Sequence, residues 1–148
     1  MGRTRHYRDL IAWQKAMDRA RLIYLRTEEF PKSETFGLRM QLRRSAVSVA
    51  SHIAEAHGRL NDGEMRRGLG VARGAINELQ TQTELAASLV FFAESTSTEL
   101  LELGTRVAKL INGLLGVLES DSEPPTAGES ADLPRAERAN LRSEKTDR

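Results

Sequence analysis

The chain has 148 residues, no cysteine and a formal net charge of +1, which gives the size of one domain and excludes disulfides and thiolate metal ligands. Aromatic residues make up only 5% while Ala, Leu and Arg are abundant, a balance that favours helices over a sheet. No apolar run approaches the roughly 20 residues of a membrane-spanning helix, and the basic start MGRTRHYRDL lacks the apolar segment of a secretory signal; the expectation is a cytoplasmic protein.

The small net charge conceals an uneven distribution. From Arg39 to Arg73 there are seven arginines against Glu55, Asp62 and Glu64, a surplus of +4. From Ser120 onward seven acids face five bases, a deficit of −2. A nearly neutral chain therefore still carries a basic region in its folded part.

Residues 1–8 read as a basic N-terminal arm. The spacing of Leu10, Trp13, Met17, Ala20 and Tyr24 predicts a first helix from about Asp9 to Glu28, with Asp9 as its cap. Ile11, Leu22, Ile23 and Leu25 widen its apolar face, and Lys15, Asp18, Arg19 and Arg26 are assigned to the wet side. Phe30-Pro31 ends it, because proline disfavours a helical residue before it. Ser33 or Thr35 is placed to cap the second helix, about Thr35 to His57.

That second helix has two apolar stripes. Leu38, Leu42, Ser45/Ala46, Val49, Ile53 and Ala56 form one, and Met40, Val47, Ala50 and Ala54 form another of mostly small residues. One buried face suffices for a helix in a monomeric bundle, so the second stripe is assigned to an oligomer interface. Gly58 stops the helix. A third helix is predicted from Asp62 to about Phe92 on the unbroken stripe Met65, Leu69, Ala72, Ile76, Leu79, Thr83, Ala86 and Val90. Gly68, Gly70 and Gly74 each cost up to about 1 kcal/mol in a helix and suggest close packing against the second helix. Ser95 to Ser97 reads as the cap cluster of a fourth helix, with Leu100, Leu103, Val107, Leu110, Leu114 and Val117/Leu118 recurring almost as heptads to Glu119. The remainder, 120–148, has little apolar content, three prolines and mixed charge, and reads as a disordered polar tail. Four helices with short connections over 9–119 predict an all-α, up-and-down antiparallel four-helix bundle.

The candidate chemistry is electrostatic. Arg39, Arg43, Arg44, Arg59, Arg66, Arg67 and Arg73 are the candidate nucleic-acid-binding residues, and any binding would follow backbone charge more than base sequence. The competing reading is a solvated face with arginines paired to Glu55, Glu64 and Glu78. His52 and His57 lie five apart, roughly 140° around a helix, and cannot share one metal ion. The GLGVARG stretch lacks the preceding strand a phosphate loop needs. No catalytic constellation, metal site or cofactor is expected.

The blocks YRDLIAWQKAMDRA, Phe30-Pro31, FGLRMQLRRSAVSVASHIAEAHGR and ARGAINELQTQ resemble the four-helix-bundle proteins encoded in intervening sequences of bacterial 23S ribosomal RNA genes. These are similar in fold to the accessory variability protein of diversity-generating retroelements. The resemblance runs from Tyr7 to about Leu118. It implies a homopentameric barrel with a basic surface proposed to bind RNA or DNA; in the retroelement relative it also implies partnership with a reverse transcriptase. Departures lie at Ala50 and His52, where the family tends to have proline and asparagine, and at Ala56-His57, where a glycine and an aromatic are usual. The tail lies outside the pattern, leaving a protein-interaction scaffold without nucleic-acid affinity as the alternative.

Overall fold

Four helices alternate in direction: α1 (Ile11–Arg26), α2 (Leu38–His57), α3 (Asp62–Ser88) and α4 (Glu94–Ser122). This computed structural model describes residues 6–122. The expected arm before His6 and the expected tail after Ser122 lie outside the described residues. The bundle falls within Met1–Leu118, and residues 119–122 continue α4.

α2 is the central element, packed against α1 on one side and α3 on the other. Its first stripe is buried from Leu42 onward: Leu42, Ser45, Ala46, Val49, Ile53 and Ala56 all face the core, and Leu38 at the head of the stripe is half-buried against it. The α3 stripe from Met65 to Ala86 is buried too. In α4 the buried line is Leu100, Val107, Ile111, Leu115 and Leu118. Leu103, Leu110 and Leu114 only flank it, because an unsupercoiled helix drifts away from a strict seven-residue repeat.

Helix ends differ from the sequence-based expectation where tertiary contacts decide them. Asp9 belongs to a one-turn 3-10 helix, Tyr7–Asp9, and caps nothing; α1 starts at Ile11, and Leu10 before it supplies no side-chain cap. α1 stops at Arg26, well before Pro31, with the Thr27 amide donating to the Ile23 carbonyl. α2 is capped neither by Ser33 nor by Thr35. The Glu34 carboxylate accepts from the Leu38 amide instead, at 2.8 Å, which places an acid at the positive end of the helix. Asn61 caps α3 through the Glu64 amide. Ser97 lies inside the first turn of α4, its hydroxyl donating to the Ala93 carbonyl.

α3 ends at Ser88, short of the expected Phe92, and the reason is a reversal of the chain. The Phe91 amide donates to the Ala86 carbonyl and the Val90 amide to that of Ala87, the paired bonds of a Schellman cap. Val90 occupies the position usually given to glycine, at φ 60°. The turn brings Phe91 and Phe92 onto Phe30, with ring centroids 5.5 and 4.9 Å apart, closing that end of the bundle. Val90 itself is left 82% exposed.

Two further expectations are overturned. Arg19, assigned to the wet side, is only 2% exposed. It donates to Gln80 Oε1, and Gln80 in turn donates to the Leu101 carbonyl of α4, so one polar chain ties α1, α3 and α4. Gly104 makes room for it, since a Cβ there would come within 2.7 Å of Arg19 Cζ. Of Gly68, Gly70 and Gly74, only Gly68 meets α2: a Cβ would lie 2.8 Å from that of Ala56. Gly70 and Gly74 have open space around them. Two and six residues from Gly68, they point roughly 200° and 240° away around the helix.

Candidate assembly groove and basic surface

The second apolar stripe of α2 lines the floor of a groove. A cavity of about 770 Å³ runs between α1 and α2 over Val47, Ala50 and Ala54, with Tyr7, Trp13, Met17 and Tyr24 opposite. A second hollow of about 550 Å³ continues it past Met40, sharing Tyr24 and Val47. Ala50 is already buried, at 4% exposure, whereas Val47 is 47% and Leu25 69% exposed. The groove is thus open apolar surface, larger than scattered surface hydrophobics account for. The α1 half of it was signalled in the sequence by the widened apolar face of that helix. The part played by Tyr7 was not, because a 3-10 turn carries no periodicity; its ring meets Trp13 edge-on at 5.2 Å.

The seven candidate arginines separate into three groups. Arg39, Arg43 and Arg44 border the second hollow. Arg43 is a clasp between helices: Nε donates to the Thr27 hydroxyl, Nη2 donates to the Tyr24 carbonyl and to Glu28, and the guanidinium stacks 4.6 Å from the Tyr24 ring. Arg39 shares the same carboxylate at 3.3 Å. The hydrogen bond from Arg43, with the charges of Arg39 and Arg43, holds Glu28 below the usual carboxylate range. Arg44 is exposed and in no ion pair among the described residues.

Arg59 and Arg67 border a hollow of about 340 Å³ at the α2–α3 turn, lined also by Glu55 and Glu64. His52 sits beside them with Nδ1 2.8 Å from the Ser48 carbonyl and 3.0 Å from its hydroxyl. Arg66 and Arg73, seven apart, share a face of α3. Arg73 reaches across to α4, donating to Asn112 Oδ1 at 3.4 Å. Lys109 lies one turn before Asn112 and Arg106 about a turn earlier, both exposed. These two cations were not candidates on sequence, because only the pairing of α3 with α4 brings them beside Arg73. Around this crossing Gly70, Gly74, Gly113 and Gly116 have nothing within 4 Å of where a Cβ would sit.

Arg44 and Arg59 are roughly 20 Å apart along α2 at 1.5 Å per residue, more than two Debye lengths at physiological salt. One chain therefore presents separate basic regions rather than one field. Glu55 and Glu78 are exposed on their helices. Among the described residues no three His, Asp or Glu side chains are grouped as a metal site, and no helix is long and apolar enough to cross a membrane.

No curated protein matches the chain. A solved structure, of a protein of unknown function from the S23 ribosomal protein family of Bacteroides thetaiotaomicron VPI-5482, is similar in fold. It has a TM-score of 0.65 at 20% identity, covering 72% of this chain and 96% of that one. Residues 8–113 match the 23S rRNA-intervening sequence proteins, a span that takes in α1 to α3 and most of α4. The chain belongs to the family of 23S rRNA-intervening sequence proteins.

Proposed function

We propose that this protein is a non-enzymatic, self-assembling bundle that holds RNA or DNA on the basic half of its α3–α4 surface. Five copies is the number that the family resemblance implies. The observation that carries the reading is the division of labour among the arginines. Arg39 and Arg43 are engaged by Glu28 at the edge of an open apolar groove, where they serve the α1–α2 contact. Arg66 and Arg73 lie away from it on one face of α3, and Arg106 and Lys109 stand across the helix pair on α4. The glycines between these cations let a phosphate backbone approach the helices closely. Repeating this surface in several copies brings separate patches into a common field, which a single chain lacks.

The test is fluorescence anisotropy with labelled RNA and DNA over a salt series from about 50 to 200 mM. Affinity should fall steeply with salt and depend little on base sequence. Arg73→Glu with Lys109→Glu should weaken binding to all sequences and reduce the salt slope by roughly two, one for each phosphate no longer neutralised. Binding absent at low salt, or unchanged in that double variant, sinks the nucleic-acid reading. The protein-interaction scaffold then takes its place.

A further inference from the structure

Neither α3 nor α4 contains a Phe, Tyr or Trp, so the basic surface they share has no aromatic ring on which a base could stack. What it has instead is flat and polar. Gly70, Arg73, Asn77 and Thr81 recur at helical spacing on α3, and Thr105, Lys109, Asn112 and Gly116 do so on α4. The two rows run antiparallel and meet where Arg73 donates to Asn112 Oδ1. Gly70 and Gly116, about a turn from that contact on their helices, have open space where a side chain would stand. Asn77, Thr81 and Thr105 are exposed. The two hydroxyls donate to the Asn77 and Leu101 carbonyls of their own helices, and their oxygens can still accept. Asn112 keeps its amide hydrogens for donation, and Asn77 can donate and accept. Exposed acids bound this surface: Glu84 and Glu102 toward one end, each roughly 15 Å from the Arg73–Asn112 contact at 1.5 Å per residue, and Glu119 toward the other. Arg73, Arg106 and Lys109 lie between them.

We infer that the nucleic acid held on this surface is double-stranded RNA, lying with its minor groove across the α3–α4 pair. The inference deepens the nucleic-acid reading proposed above and rests on it. Single strands are gripped by stacking their bases on aromatic rings, and this surface offers none. Width then decides between duplexes. Each helix is about 10–12 Å across, and two packed side by side at about 8–10 Å present a front roughly 20 Å wide. Such a front enters neither the B-DNA major groove, about 12 Å wide, nor its minor groove of about 6 Å. The minor groove of A-form RNA is wide and shallow and displays 2′-hydroxyls, so a broad, flat front can lie on it. Asn77, Asn112 and the two threonines supply the donors and acceptors that 2′-hydroxyls need. Arg73, Arg106 and Lys109 meet phosphates on either side of the groove. Gly70 and Gly116 keep the front flat, since a side chain at either would hold a shallow groove away.

The test prepares one sequence as double-stranded RNA, single-stranded RNA and double-stranded DNA and titrates each with the full chain by fluorescence anisotropy at low salt. Double-stranded RNA should bind about tenfold more tightly than either of the others. Single-stranded RNA or double-stranded DNA bound equally well or better overturns the inference and leaves the nucleic-acid reading in place. Binding to none of the three fails that reading itself. Gly70→Leu with Gly116→Leu then probes the flat front. Both side chains enter open space, so circular dichroism and the mass in solution should match wild type. Affinity for double-stranded RNA should fall about tenfold in this variant, and an unchanged affinity overturns the inference. If the variant loses helicity or changes mass, Asn77→Ala with Thr105→Val, both exposed, takes its place. That pair should lower affinity for double-stranded RNA by about threefold or more while leaving double-stranded DNA unaffected, because only RNA offers the 2′-hydroxyl. Equal losses on the two duplexes, or no loss on either, overturn the inference.

Discussion

Arg43 and Arg19 are the same residue type put to opposite uses. Arg43 sits at the C-terminal end of α1, where the carbonyls of that helix carry partial negative charge. Its guanidinium neutralises Glu28 and satisfies Tyr24 and Thr27 together. Arg43→Ala should cost about 1.5–3 kcal/mol, the range for hydrogen bonds to a charged group. Urea unfolding at neutral pH measures it, and Arg43→Lys should recover little, since an ammonium cannot reproduce the fork. The depressed Glu28 carboxyl adds an acid sensitivity. Its contribution is complete above the unfolded carboxyl value of about 4.3 and is lost as pH falls through the lower folded value. Arg43→Ala should therefore also flatten stability against pH in the acid range.

Arg19 works against folding instead. Burial lowers its pKa to about 10, so it remains charged at neutral pH and its folded state disfavours that charge at every pH below this value. Nε and Nη1 are buried without a hydrogen-bond partner among the described residues. Replacing Arg19 and Gln80 together by leucine should be neutral or stabilising by about 1–4 kcal/mol, as for other buried charged groups. Arg19→Leu alone, which leaves Gln80 Oε1 without its donor, should be less stable than the double variant. A double-mutant cycle in urea separates the terms.

At the scale of the element, Gly68, Gly70 and Gly74 of α3 look alike in sequence and differ in space. Gly68→Ala drives a methyl into Ala56 at the α2 crossing and should destabilise by about 1–3 kcal/mol, despite the better helix propensity of alanine. Gly70→Ala meets nothing and should stabilise by up to about 1 kcal/mol. Thermal unfolding of the two variants gives opposite signs if α3 faces α2 as described. Val90 is the converse case, a β-branched residue where glycine or asparagine belongs. Its left-handed conformation costs roughly 1–2 kcal/mol, retained here at the tip of an exposed apolar edge.

For the whole molecule, the proposed assembly makes stability depend on concentration. If copies associate only when folded, the unfolding midpoint should rise with protein concentration, whereas Val47→Glu should show a lower and concentration-independent midpoint. The bundle itself was legible in the sequence, because a 3.6-residue repeat records which face of a helix is buried. The α2 and α3 stripes, the stop at Gly58 and the doubled face of α2 all follow from that repeat. What α1 buries was not legible: its apolar face was clear, yet Arg19 enters the core while Tyr24 and Leu25 stay outside. Periodicity assigns a face to each residue type and has no means of marking a charge that finds a partner on α3 and space at Gly104. The same limit hid Lys109, distant from Arg73 along the chain and brought near it only by the pairing of α3 with α4. Sequence alone determined the elements and their inward faces, through local spacing. Tertiary structure decided which charges are consumed in clasps and which glycines touch a neighbour, because those depend on residues far apart in the chain.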